Sequence, residues 1–371
     1  MFVVRVLVAV AGAALVVLTG LSAVKTVVLP RAAGSLITRV VFVGLRRAMY
    51  LVIGRRRFEV RDRVLAYYAP VALIMLAGAW IALTMAGFAA IYWSTGLHSW
   101  RQSFLVSGSS ILTLGTAFRS DLPHASLSFV EATLGLGLVA LLISYLPTIY
   151  GAFSRREQLV GMLEVRAGLP PSPSEMLMRF TRIGGIGELS TNFLPRWEEW
   201  FTDIEESHTT LPALVFFRSP QPERSWITAA GCVLDTSALI SSTLEVPRNP
   251  AVDVTLRSGF LALRRIADYF GLEYPASPAA TDPISIMRHE FDLVRVELEA
   301  AGVPLKADAD RAWAEFSGWR VNYDAVLLGL AALVDAPTAR WSSDRGPLRQ
   351  PRPRILRRLK HKVTHRSGRA G

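Results

Sequence analysis

The stretch WRQSFLVSGSSILTLGT, Trp100 to Thr116, decides the fold: its middle is apolar and rich in small residues where a loop between two membrane spans would ordinarily be polar. On one side lies the apolar run Val64 to Trp93, with Tyr67, Tyr68, Tyr92 and Trp93 as interfacial anchors, and on the other the run Leu127 to Phe153. Each exceeds the ~20 residues that a helix needs to cross a bilayer. Between them, Ser99 offers an N-cap. The pattern predicts a short helix that dips into the membrane and ends at the turn Thr113-Leu114-Gly115-Thr116. Non-helical backbone at membrane depth is tolerated only where it is buried in protein or lines a wet cavity.

Working outward, Phe2 to Leu29 is a third apolar run, broken only by Arg5 and Lys25 near its ends. It is longer than a signal-peptide core and has no evident small-residue cleavage site, so it reads as an uncleaved span. Nine arginines, from Arg31 to Arg63, separate it from the second span, whereas the Ser94 to Ser126 loop holds only Arg101 and Arg119. The positive-inside rule then places the arginine-rich connection and everything after Arg155 in the cytoplasm, and the N-terminus outside. Within that connection Ser35 to Ile53 is fairly apolar, but Arg39, Arg46 and Arg47 fall on one helical face. Each would cost roughly 2.5–3.5 kcal/mol at mid-bilayer, so the segment is expected to lie in the cytoplasmic interface.

Apolar residues make up 51% of the 371, which is high for a wholly soluble chain. Formal charge partitions as +9 over residues 1–154, −8 over 155–344 and +10 over 345–371, for a net +11. The basic excess therefore belongs to the membrane region and the tail, and no nucleic-acid partner is expected. Cys232, the single cysteine, excludes an intrachain disulfide and lies in an apolar run that predicts a buried thiol.

The unit of outer helix, re-entrant loop and inner helix, residues 64–153, resembles the pore-loop potassium-channel superfamily, specifically bacterial members with one pore loop between two helices per subunit. The family filter is Thr-Val-Gly-Tyr-Gly followed by Asp; Thr113 and Gly115 match it and Leu114 is a conservative replacement. Thr116, Ala117 and Phe118 depart from it, standing where the tyrosine, the second glycine and the aspartate would be. The resemblance implies a homotetramer, a permeant monovalent cation such as potassium, and filter carbonyls from Thr113, Leu114, Gly115 and Thr116. Ser109 and Ser110 would close the pore helix, whose negative end would face the cavity. An alanine in place of the second glycine predicts a differently shaped outer filter, so cation conduction carries over further than potassium selectivity.

On the inner helix, Gly135 and Gly137 are candidate hinge or crossing positions, and Pro147 removes a backbone hydrogen bond further down. Glu131 is the one acidic residue within a span, either a gating carboxylate or a brace for the pore helix. Helical periodicity continues to about Arg166, and Gly168 with Pro170-Pro171-Ser172-Pro173 reads as a linker, so 154–173 is expected to be an inner-helix extension followed by a linker.

Residues 174–344 predict an all-helical cytoplasmic domain, including a helix opened by Asp282-Pro283 and closed at Gly302. Gly184-Gly185-Ile186-Gly187 reads as a turn, and Glu198, Glu199, Asp203, Glu205, Glu206 and His208 as a solvated face. No constellation suggests an enzyme or a cofactor. The basic tail, 345–371, with Arg357, Arg358 and Lys360, and the Arg55-Arg56-Arg57 run are candidates for binding anionic lipid. The expectation is thus an all-α, multi-pass plasma-membrane protein: an N-terminal transmembrane helix over 1–29, an arginine-rich interfacial segment over 30–63, the pore-loop unit, and a helical cytoplasmic domain. A non-conducting, membrane-anchored scaffold is the competing function.

Overall fold

The computed structural model of the protein describes residues 2–29, 35–54, 57–97 and 99–346. Among these the chain is all-helical, its only strand-like pairing being an isolated bridge between Leu244 and Leu305. Three helical stretches are long and apolar enough to cross a membrane: Phe2–Val27, Phe58–Ser94 and Leu122–Ala167.

The first is α1, Phe2–Val27. The second is a pair of abutting helices, α3 (Phe58–Ala66) and α4 (Tyr68–Ser94). α1 packs closely on α4 because Gly12 and Gly87 face each other. A Cβ on Gly12 would lie 2.6 Å from the Gly87 carbonyl oxygen, and one on Gly87 would lie 2.8 Å from that of Gly12. Small residues at such a crossing let two backbones meet where apolar burial alone supplies no drive. The Trp80 indole N–H adds a hydrogen bond to Ser22 Oγ at 3.0 Å.

Between them runs α2, Leu36–Ile53, whose N-cap Ser35 accepts from the Thr38 N–H and also bonds Ser22 of α1. Its arginines do not share one fate. Arg39 and Arg47 are exposed, but Arg46 donates to the Leu333 carbonyl at 2.6 Å and lies over the Phe216 ring. The helix is therefore clamped to the helical domain as well as amphipathic.

A short helix, α5 (Trp100–Ile111), follows α4, and the third apolar helix, α6, spans Leu122–Ala167 without interruption through Pro147. The helix continues to Ala167, as its periodicity implies, but this extension does not stand free of the domain. The end of α6 enters the core of the helical domain through Val160, Leu163 and Ala167, and the chain turns only at Gly168. Arg156 fixes this entry: wholly buried, it donates to the carbonyls of Leu214 at 2.9 Å and Phe217 at 2.7 Å and pairs with Glu157. Its own carbonyl accepts from the Trp200 indole at 3.0 Å.

The domain comprises α7 (Pro173–Ile183), a single turn α8 (Gly185–Glu188), α9 (Leu194–Thr210), α10 (Trp226–Thr243), α11 (Pro250–Phe270), α12 (Arg288–Ala300), α13 (Ala309–Arg320) and α14 (Asp324–Val334). The Gly184-Gly185 pair ends α7 and opens α8, with Gly185 left-handed, and so forms a break between helices. Apart from Ser241 every residue of α10 is buried, which marks it as the central helix. Asp235 on α10 would be costly there but for Arg320, whose Nη1 reaches both its oxygens at 2.6 and 2.7 Å and whose Nε reaches Asp324 at 2.8 Å.

That cluster also corrects the start of α12. Helix does not begin at Asp282, because Ser285 gives its backbone N–H and hydroxyl to the Asp324 carboxylate, at 2.8 and 2.7 Å. α12 begins at Arg288 instead, with Glu290 accepting from the Met287 N–H. Two further readings change. His208, placed on a solvated face, is fully buried beside Arg156 and Trp226. Arg345, assigned to the tail, bonds Glu290 and the Ser285 carbonyl and belongs to the domain. Cys232 is a buried free thiol, and burial pushes its ionisation upward.

Candidate functional site: the loop between α5 and α6

The α5 helix begins as the sequence implies, at Ser99, although the Ser99 side chain makes no capping bond. Trp100 stacks on Trp93 at the end of α4, ring centroids 5.0 Å apart, and this seats the helix start. Its small hydroxyl residues face inward: Ser103, Ser107 and Ser109 are buried. Ser107 donates to the Met85 carbonyl of α4 at 2.9 Å, and its hydroxyl also meets the Glu131 carboxylate of α6. One serine thus joins three helices.

Glu131 is fully buried. No cation pairs with it among the described residues, and its Oε2 has no hydrogen-bond partner there. One turn away Ser128 bonds the Tyr92 hydroxyl at 3.0 Å, and His124 bonds Asp121 and lies 3.3 Å from Thr95 Oγ1. Gly135, one turn the other way, lets the Ile111 carbonyl approach so closely that a Cβ there would be 2.3 Å from its oxygen. Gly137 has nothing within 4 Å of an added Cβ and makes no such contact.

Helix α5 ends in a double bond pattern: the Thr113 N–H donates to the Ser110 carbonyl at 3.0 Å and the Leu114 N–H to the Ser109 carbonyl at 2.8 Å. This is the Schellman ending, and its left-handed position falls on Thr113, φ 54°. Glycine usually occupies that position; a β-branched residue there costs roughly 1–3 kcal/mol. Gly115 is left-handed again at φ 68°, with Leu114 between them at negative φ. The stretch closes where the Ala117 N–H donates to the Ser109 hydroxyl at 3.0 Å. Ala117 is not left-handed, so its methyl is accommodated and no second glycine is required.

The structure therefore brings together Ser109, Ser110, Thr113, Leu114, Gly115, Glu131 and Gly135, while Gly137 and Pro147 stand apart on α6. Residues 112–116 are all exposed, with Leu112, Leu114, Phe118 and Leu122 presenting apolar side chains. Sequence reasoning missed Ser107, whose signal was its spacing: Ser103, Ser107 and Ser110 fall on one face of α5. Of the candidate lipid-binding residues, Arg57 is exposed at the start of α3, while Arg55, Arg56, Arg357, Arg358 and Lys360 lie outside the described residues.

No family model matches the chain, and no curated protein or solved structure matches it.

Proposed function

We propose that the protein is a subunit of a homotetrameric cation channel of the plasma membrane, in which α4, α5 and α6 of each chain surround a central path lined by the backbone of residues 113–116. The observation that carries this reading is the loop from Leu112 to Ala117. It has two left-handed residues, Thr113 and Gly115, is tied back to α5 by Ser109, and is held against two apolar helices by Ser107 and Gly135. A threonine kept where glycine would relieve strain is a cost that a role for its hydroxyl or carbonyl explains. One such loop cannot enclose an ion, but closed rotational symmetry can. It would also cover the apolar side chains that a single chain leaves exposed around it.

In this arrangement the carboxyl end of α5 directs its partial negative charge to the path, which favours cations. The arginine-rich connection and the helical domain lie in the cytoplasm, and the N-terminus outside. The third span runs unbroken into that domain, so a displacement of the domain reaches the lower half of α6 directly. Potassium is the expected permeant ion; with Thr116 and Ala117 in place of tyrosine and glycine, the filter is expected to be less strict than the family pattern. The test is potassium efflux from proteoliposomes holding purified tetramer. A flux that follows the imposed potential supports the channel. An intact monomer or dimer without flux turns the reading to a membrane-anchored scaffold.

A further inference from the structure

Away from the loop, a pocket of about 840 Å³, mouth included, opens where the ends of the apolar helices meet the helical domain. Its floor is aromatic and apolar. Tyr68 stands edge-on to both Phe42, at 6.1 Å, and Phe216, at 5.4 Å, and gives its hydroxyl hydrogen to the Phe42 carbonyl, so the polar end of the ring is already satisfied. Tyr145 of α6 and Phe270 of α11 complete the floor. At the rim stand Lys25, from the end of α1, and Arg39, from α2, both exposed, and among the described residues no carboxylate lines the pocket.

A deep apolar floor below two cations, set at the ends of membrane-length helices, has the polarity profile of a lipid molecule rather than of a soluble metabolite. An acyl chain matches the floor, and a phosphate matches Lys25 and Arg39. We propose that this pocket binds one anionic phospholipid, with a chain among Phe42, Tyr68, Tyr145 and Phe216 and its phosphate between Lys25 and Arg39. The proposal rests on the apolar helices crossing a bilayer and not on conduction. Because α1, α2, α6 and the 209–216 segment all line the site, a bound lipid joins the spans to the domain.

The experiment uses the full chain in nonionic detergent and follows its unfolding midpoint during titration with dioctanoyl phosphatidylglycerol, dioctanoyl phosphatidylcholine or glycerol 3-phosphate. The phosphatidylglycerol titration is expected to saturate. In K25Q/R39Q its affinity falls roughly thirtyfold, about fivefold for each cation, to the level of phosphatidylcholine. Val43→Trp, which places an indole in the pocket, abolishes both responses. Glycerol 3-phosphate has no effect at the same concentrations. Unchanged phosphatidylglycerol affinity in K25Q/R39Q overturns the proposal by placing the lipid elsewhere, for example on the basic tail. An equal response to glycerol 3-phosphate overturns it in favour of a phosphate site. Should Val43→Trp fail to fold, K25Q/R39Q and the chain-free phosphate decide alone.

Discussion

The Ile111 carbonyl oxygen occupies the space that a side chain on Gly135 would take, at 2.3 Å from an ideal Cβ. The last turn of α5 is thereby pressed onto α6 at the point where the loop begins. Gly135→Ala must push the two apart, and the neighbour is backbone, which cannot rotate away. The expected cost is about 1–3 kcal/mol, with the loop displaced. Gly137→Ala, two residues on and facing open space, is expected to leave the unfolding midpoint in detergent unchanged or slightly raised. Equal effects of the two would remove Gly135 from its positioning role.

Glu131 and Ser107 form the second fastening. Glu131→Ala leaves the Ser107 hydroxyl with the Met85 carbonyl alone and opens a space in a buried site, at an expected cost of about 1–3 kcal/mol. Glu131→Gln keeps a polar group of the same shape against the hydroxyl and is expected to stay close to wild type. Since the two residues act as one, the double variant S107A/E131A is expected to lose less than the sum of the single losses. Strict additivity in thermal unfolding would show that the contact contributes nothing.

In the helical domain, Arg320 is wholly buried between Asp235 and Asp324. Arg320→Met leaves two carboxylates without their cation, and a loss of about 3–5 kcal/mol is expected. D235N/R320M/D324N removes the charges together and is expected to recover a large part of it. Thermal unfolding of the three proteins checks the order.

His208 supplies a pH dependence. Burial, and then the neighbouring Arg156 guanidinium, hold its imidazole well below the ordinary value of 6.5, so the folded protein keeps it neutral. The unfolded chain takes up a proton near pH 6.5 and the folded chain does not. The stability contributed by this group is therefore complete above that pH and declines as pH falls below it, by up to roughly 1.4 kcal/mol per unit. His208→Asn, with no ionisation, is expected to show a shallower fall between pH 6.5 and 5.5. Parallel curves for both proteins would assign the slope to other groups.

The three apolar helices were legible because a span must be apolar over its whole length, a pattern that needs no tertiary information. Helix α5 was legible from its composition and its place between two long apolar helices. What stayed hidden was decided by partners distant in sequence. Nothing in their local sequence marks Arg156 or Arg320 as interior, yet each is buried because carbonyls or carboxylates from other elements surround it. The segment from Asp282 had every local mark of a helix start, and lost to the bonds that Asp324 offers Ser285. The Gly-Pro run after Gly168 looked like a linker, whereas α6 had already entered the domain core. The left-handed Thr113 was equally invisible, since threonine is among the last residues that local preference would place there.

The most direct test of conduction through this loop is current across a planar bilayer holding purified wild-type or Gly115→Val protein under a potassium/sodium bi-ionic gradient. At φ 68° glycine fits and valine does not, whereas no neighbouring atom lies within 4 Å of an added Cβ, so the change strains the loop backbone and leaves the helix contacts alone. Wild-type tetramer is expected to pass cation current in discrete steps, and Gly115→Val tetramer of the same size to pass none. An intact wild-type tetramer silent to every monovalent cation at both polarities, or a Gly115→Val current equal to wild type, would contradict it.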